Sequence, residues 1–208
     1  MHTDMIITWL GESCFKIQAK GDGGTAVTLV IDPFEPKKAG RALPRHLAAD
    51  LVLLTEATPL HNHRAGVAGS PVVISGPGEY ETRGVLIYGM RMPGATERTI
   101  YYGNVEGISF VHCGTLNAPL TDALLEAIAD VHIAMVPVGG AGVLSASDAA
   151  DVVGQIEPRI VLPMQYADVQ PFLKVMATSA NEAIPELKIT KKDLPEDAVR
   201  VVVLAPAT

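Results

Sequence analysis

Short apolar and β-branched runs, separated by turn residues, make up most of the first half of the chain. Residues 6–10, 14–18 and 26–31 are such runs, and Gly21-Asp22-Gly23-Gly24 lies between the last two. That glycine cluster predicts a hairpin joining 14–18 to 26–31. Residues 50–55 and 71–75 are continuously apolar rather than alternating, the pattern of strands covered on both faces. Residues 41–49 read as a short helix. Residues 84–90 and 99–102 read as strands, followed by a turn at Gly103-Asn104 and a strand over 108–113.

The pattern changes after residue 113, where helical and strand periods alternate. Leu120, Leu124, Leu125 and Ile128 fall on one face of a helix over 120–129, with Thr121 as its N-cap. Residues 131–138 form a buried strand ending in Gly139-Gly140. An amphipathic helix over 147–156 stops before Pro158, and 159–163 returns as a strand. Residues 169–180 predict a helix and 199–204 a last strand. Antiparallel strands followed by strand–helix units suit two packed sheets with helices outside, an α+β fold of four αββα layers. No stretch is rich enough in Pro, Gly or Ser to divide the chain, so residues 1–208 are read as one domain.

Composition narrows the function classes. With 208 residues, 48% hydrophobic and 19% charged, the chain can bury a substantial core and is not intrinsically disordered. A formal charge of −7 argues against partners that attract cations, so neither nucleic acid nor an anionic membrane is expected. The N-terminus lacks the basic and unbroken apolar regions of a signal peptide, and no apolar stretch is long enough to span a bilayer. Two cysteines, Cys14 and Cys113, make no disulfide framework. A cytoplasmic location with reduced thiols is the expectation. Six histidines and 23 carboxylates leave a metal site arithmetically open.

Five strings carry a resemblance. They are Thr8-Trp9-Leu10-Gly11-Glu12-Ser13-Cys14-Phe15, Ile31-Asp32-Pro33-Phe34, Ser75-Gly76-Pro77-Gly78-Glu79-Tyr80-Glu81, Pro137-Val138-Gly139-Gly140 and Pro158-Arg159-Ile160-Val161-Leu162-Pro163-Met164. In this order and at these spacings they resemble the metallo-β-lactamase-fold hydrolases, in the branch that includes the ascorbate-6-phosphate lactonase. The likeness runs from about residue 5 to residue 166 and leaves 167–208 unassigned. It implies an αββα sandwich holding one or two metal ions, usually zinc, at one edge of the sheets. The implied hallmark is His-x-His-x-Asp-His on the loop after a buried strand, with further ligands from a mid-chain histidine, a His-Leu-Gly-Asp turn and a late Pro-Met-His-Tyr segment. Imidazoles and a carboxylate so spaced can face one point from an irregular loop and hold zinc with an open position for an activated water.

The ligand positions of this chain hold other residues. The buried run 49–55 fixes the register, so the hallmark positions carry Glu56, Thr58, Leu60 and His61. Thr115 stands where the resemblance implies the bridging aspartate, and Gln165 where it implies the last histidine. The loop 90–97 contains no histidine, and the Gly-His-Ser near the start is Gly11-Glu12-Ser13. His2, His46, His63, His112 and His132 fall outside the ligand positions. Glu56 and His61 alone are good zinc donors, short of the three or four that protein sites use.

Other constellations favour plainer readings. His61 and His63 with Glu56 could hold a metal, but a loop with one relic ligand and one incidental histidine is preferred. His112 and Cys113, as strand neighbours, point to opposite faces and cannot form a thiol–imidazole dyad. Glu12, Asp32 and Glu79 could form an oxygen-rich cation site, although such residues more often cap turns. Glu12, Asp32, Glu79 and His112 are nonetheless carried forward as cleft candidates. Gly76-Pro77-Gly78 and Gly139-Gly140 lack the spacing of phosphate loops and read as strand ends. Leu60, with Met90, Met92 and Met164, suggests a former site turned apolar; plain packing accounts equally well for the methionines.

The reading is a metallo-β-lactamase-fold protein without bound metal or other cofactor and without hydrolase activity. It would act as a binding or structural module toward an unidentified small molecule or protein, with self-association open. The alternative is a Zn-dependent-hydrolase-like enzyme with a remodelled site around Glu56 and His61.

Overall fold

The structure, a computed structural model, describes residues 5–94, 97–128, 130–178, 182–196 and 198–207. The chain opens with β1 (Met5–Gly11), β2 (Cys14–Lys20) and β3 (Ala26–Ile31), then the one-turn helix α1 (Pro36–Ala39). Next come β4 (Leu51–Leu54), β5 (Val72–Ser75), β6 (Gly78–Thr82), β7 (Val85–Arg91), β8 (Thr99–Val105) and β9 (Ile108–His112). The later part holds α2 (Asp122–Ala127), β10 (Ile133–Pro137), α3 (Ala146–Ile156), β11 (Ile160–Met164), α4 (Gln170–Val175), β12 (Leu187–Ile189) and β13 (Arg200–Val201). Two mixed sheets result, ordered β12-β1-β2-β3-β4-β5 and β13-β11-β10-β9-β8-β7-β6.

Alternation along the fully buried strands explains the layering. In β4, Leu51 and Leu53 enter the core between the sheets, while Val52 and Leu54 pack outward with Leu10, Val30 and Phe34. In β10, Ile133 and Met135 face the same inter-sheet core, and Ala134 and Val136 pack outward with α2 and α3 residues such as Leu124 and Val152. A period of two with both faces covered is what a continuous apolar run encodes in a parallel strand. Strands β3, β4 and β5 are mutually parallel, as are β9, β10 and β11. The loops that follow them therefore collect at common ends of the sheets.

Several expectations change in detail. Residues 41–49 are not helical: α1 ends in a left-handed Gly40 at φ 67°, and Pro44 and His46, at φ 60°, keep the following segment irregular. The helical layer over the first sheet is therefore thin. Strand β8 runs straight through Gly103-Asn104, and the hairpin turn lies at Glu106-Gly107, where both φ angles are positive. Gly103 sits within the strand because the Phe110 ring of β9 occupies the space a Cβ would take. Thr121 holds the N-cap position of α2 without a side-chain capping bond, whereas Ser145 caps α3 by accepting from the Asp148 N–H. The expected helix over 169–180 contracts to α4, Ala177 having φ 48° and residues 179–180 lying outside the described residues. Ala129, the expected end of α2, also lies outside them.

The segment after residue 166, unassigned by motif, completes both sheets. β12 pairs antiparallel with β1, and β13 pairs parallel with β11. Among the described residues no helix is long and apolar enough to cross a membrane.

Candidate functional site

One cleft of about 870 Å³ opens at the end of the sandwich where the loops after β4, β9, β10 and β11 meet the β1–β2 turn. Glu56, Thr58, Leu60, His61, Thr115 and Gln165 all line it, although they come from both sheets and from distant parts of the sequence. Glu12 lines it as well. The positions aligned from the run 49–55, the turn 111–116 and the segment 163–166 thus share one place.

Glu56 is the hub. Its Oε2 accepts from Arg98 Nε at 2.8 Å and from Thr115 Oγ1 at 2.9 Å, and its Oε1 lies 3.4 Å from His61 Nδ1. The carboxylate side chain is only 10% exposed, so these contacts take the place of water. His61 is buried and equally engaged, with Nδ1 2.7 Å from Thr58 Oγ1 and Nε2 3.3 Å from Gln165 Nε2. Burial holds its pKa below the usual histidine value; Glu56 pulls it up and Arg98 pushes it down. A neutral ring with the proton on Nδ1, facing Thr58 and Glu56, leaves Nε2 to accept from the Gln165 amide. Gln165 adopts φ 51°, and its Oε1 is buried without a hydrogen-bond partner.

The other cleft candidates divide. Glu12 stands at φ 50° in the β1–β2 turn, and its carbonyl accepts from Trp9 Nε1 at 2.9 Å. Asp32 does not line the cleft but lies fully buried, receiving the Thr55 N–H at 2.7 Å and meeting Thr55 Oγ1 at 2.6 Å. It anchors the residue before Glu56, and burial pushes its carboxyl up to about 8 against the opposing pull of those bonds. His112 is likewise a core residue. Its Nε2 donates to the Ser13 carbonyl at 2.8 Å, its Nδ1 accepts from the Gly114 N–H at 3.2 Å, and burial lowers its pKa to about 4. Glu79 is exposed on β6 opposite Tyr88, whose phenol it hydrogen bonds, and takes no part in the cleft. Asp32 and Glu79 therefore do not assemble an oxygen-rich site with Glu12.

Cys113 packs in the outer cluster beneath the helices, while His112 is on the inner side against Phe15, so no dyad exists. Burial raises both thiols, Cys113 to about 12. Met92 and Met164 are packed in the two cores, and Met90 packs against the outer one; none lines the cleft. Gly140 closes against the Gln165 carbonyl, where a Cβ would come within 2.6 Å.

Arg98 is the cleft residue that sequence spacing missed. It precedes β8, just past the loop 90–97, of which residues 95–96 lie outside the described residues. No motif marks it, since its contact with Glu56 exists only once the two sheets pack. Lys38, Val143 and Tyr166 join the lining on the same basis.

Zinc, which the fold family implies, does not fit this donor set. Both Glu56 oxygens and both His61 nitrogens are engaged by protein groups, and the Arg98 guanidinium already supplies a positive charge to Glu56. Thr58, Thr115 and Gln165 are neutral and weak donors. Among the described residues, no group of three or more His, Cys, Asp or Glu is arranged to hold a metal ion.

The family model described as the beta-lactamase superfamily domain matches residues 6–165. A UPF0173 metal-dependent hydrolase of Methanopyrus kandleri is 26% identical, with 80% of this chain and 86% of that protein covered. Another, of Methanoculleus marisnigri, is 27% identical over 78% of this chain and 81% of that protein. Among solved structures, a protein of Thermotoga maritima assigned to the Zn-dependent hydrolases of the metallo-β-lactamase superfamily superposes with a TM-score of 0.77. It is 29% identical, with 96% of this chain and 98% of that one covered. A metallo hydrolase of Ignicoccus hospitalis, 18% identical, shares the fold with a TM-score of 0.65, over 90% and 98% of the two chains. The chain belongs to the beta-lactamase superfamily domain family and has the metallo-β-lactamase sandwich fold.

Proposed function

We propose that this chain is a member of its family that has given up metal-dependent hydrolysis and uses the former metal cleft as a binding module. The observation that carries this reading is the Glu56 carboxylate, closed in by Arg98, Thr115 and His61. A metal would have to displace the guanidinium and would then find only Glu56 and His61 as strong ligands. In this reading Glu56, Thr58, Leu60, His61, Thr115 and Gln165 are vestigial ligand positions, and the hydrogen bonds among them bridge the sheets in place of an ion.

The test is metal content together with thermal stability. Protein purified and dialysed without chelator is expected to hold no stoichiometric zinc, manganese or iron. Added divalent metal is expected to leave its melting temperature unchanged, since only a ligand that binds the folded state raises it. The second reading, a remodelled site on Glu56 and His61, rests on their 3.4 Å approach within the cleft. It requires a zinc-dependent rise in melting temperature that His61→Ala abolishes. Stoichiometric metal in the wild-type protein, or that pattern of rise and loss, overturns the metal-free reading.

A further inference from the structure

Positive charge is unevenly distributed in this acidic chain. The sequence holds 16 Lys and Arg against 23 Asp and Glu, yet residues 36–49 carry Lys37, Lys38, Arg41 and Arg45 and no carboxylate. This basic stretch lies outside the five strings on which the family resemblance rests. It begins in α1 and continues to Arg41, beside the end of β1. Lys38 lines the cleft, and the Arg41 guanidinium lies directly over Gly11, the neighbour of Glu12, where a Cβ would overlap it. Among the described residues, neither the Lys38 ammonium nor the Arg41 guanidinium makes a hydrogen bond or ion pair, and the Lys38 backbone N–H is spent on the Glu35 carbonyl. Both positive charges are therefore unmatched among the described residues.

The opposite wall supplies donors of another kind. The loop 139–143 joins β10 to α3, and Gly140, Ala141, Gly142 and Val143 line the cleft. Its neighbours on either side are tied down, Val138 N–H to the Met164 carbonyl and Leu144 N–H to the Leu116 carbonyl. Among the described residues, none of the five backbone N–H groups between them donates to a protein acceptor. Free backbone N–H groups in a glycine-rich turn are a recurrent means of holding an oxyanion. Pro59, Leu60 and Tyr166 add apolar surface to a lining that also holds Thr58, Thr115 and Gln165. Glu56 does not oppose an anion, because Arg98 neutralises it, which leaves Glu12 as the one carboxylate of the lining with no partner.

We propose that the cleft binds a small organic oxyanion, a carboxylate or phosphate carried on an apolar body, with its anionic end held by Lys38, Arg41 and the 139–143 loop. This rests on the metal-free reading of the same cleft. Charge-assisted bonds to a desolvated oxyanion are the strong class of hydrogen bond, and the apolar part of the lining excludes water that would weaken them.

Trp9 is the single tryptophan, and it reports on the site directly. Its ring centroid lies 5.2 Å from that of Tyr166, and its Nε1 bonds the Glu12 carbonyl. Full-length protein in chelator, at constant ionic strength, is titrated with phenyl phosphate, benzoate and benzyl alcohol while Trp9 emission is followed and heats are measured. Saturable binding of phenyl phosphate, benzoate or both is expected, with benzyl alcohol inert; the tighter of the two identifies the anionic group. Lys38→Gln combined with Arg41→Gln is expected to weaken binding by about tenfold or more. Glu12→Gln is expected to tighten it, and Lys192→Gln, an exposed substitution outside the cleft, to leave it unchanged. The proposal is overturned if neither anion saturates, if benzyl alcohol binds equally well, or if the double variant, folded by circular dichroism, binds as the wild type does. Metal content, measured on the same preparation, separates the two readings. Stoichiometric metal with anion binding in chelator removes only the metal-free reading, and metal-free protein that binds no anion removes only this one.

Discussion

Arg98 changes what Glu56 can do. A carboxylate 10% exposed and flanked by His61 would draw a cation from solution, but the guanidinium is already there, half-exposed at the cleft wall. Arg98→Ala leaves Glu56 with Thr115 and His61 only. The expected cost is about 1–2 kcal/mol in urea denaturation, below the value for a fully buried pair because Arg98 is partly solvated. A sharper readout is His61, whose pKa Arg98 lowers and Glu56 raises. Its ring-proton titration midpoint should move to higher pH in Arg98→Ala, and an unchanged or lowered midpoint would show that the guanidinium does not act on the pair. Asp32 gives a pH signature of its own. Its folded pKa of about 8 lies above its ordinary 3.8, so its contribution is complete below 3.8 and is lost as pH rises through 8. His112 works in the opposite sense, lowered from 6.5 to about 4, so its contribution is complete above 6.5 and is lost as pH falls through 4. Between pH 6.5 and 8 only the Asp32 effect remains. In that window the unfolding free energy of Asp32→Asn, measured by urea denaturation, should gain on wild type as pH rises, by at most about 1.4 kcal/mol per pH unit.

Elements place these residues, and glycine decides two of the placements. Gly140 lets the β10–α3 loop approach the Gln165 carbonyl, where a Cβ would stand 2.6 Å away, backbone against side chain with no rotamer to relieve it. Gly140→Ala is expected to destabilise by about 1–3 kcal/mol, with the loop displaced from Gln165. Gly154 is the contrast, exposed within α3 with nothing within 4 Å of its Cβ position. Gly154→Ala should stabilise by about 0.5–1 kcal/mol in the same denaturation assay. The same contrast marks what a sequence makes legible. Continuous apolar runs gave β4, β9, β10 and β11, and the end of α3 followed from Pro158, because burial on both faces and a missing N–H act locally; the run 71–75 also gave β5, but at a sheet edge, with Val72 and Ser75 exposed instead of covered on both faces. The cleft positions 56, 58, 60, 61, 115 and 165 were reached by another route, alignment to the ligand positions that the family resemblance implies, and they line one cleft. Gly103-Asn104 reads as a turn, yet its conformation is set by the Phe110 ring across the sheet. The segment 41–49 has helical composition, but Gly40 and Pro44 dominate it. Strand β6, mostly polar and half-exposed at a sheet edge, carries no apolar signal at all. Arg98, Lys38 and Arg41 acquire meaning only from the packing of loops distant in sequence.

At the scale of the whole molecule, both sheets depend on the segment that no motif covers. β12 flanks β1 in the first sheet and β13 flanks β11 in the second, so the last part of the chain closes the same side of both layers. The tail also bonds between the strands: Ala205 N–H donates to the Ile184 carbonyl, and Ala207 N–H to the Trp9 carbonyl. Trp9 in turn holds the Glu12 turn of the cleft, which connects the tail to the site through two hydrogen bonds. If β12 were a decorative edge, its side chains could be truncated at little cost. They are not disposed that way: Leu187 and Ile189 enter the inter-sheet core at 5% and 1% exposure, opposite Ile7 and Met5, while Lys188 between them is exposed and pairs with Glu186. Leu187→Ala should therefore cost about 2–4 kcal/mol by urea denaturation, the range for emptying a core leucine site. Lys188→Ala should stay within about 0.5 kcal/mol, since an exposed ion pair contributes little. Equal, small effects at both positions would mean that β12 is not part of the cooperative fold, and the cleft would then have to be held by the first 166 residues alone.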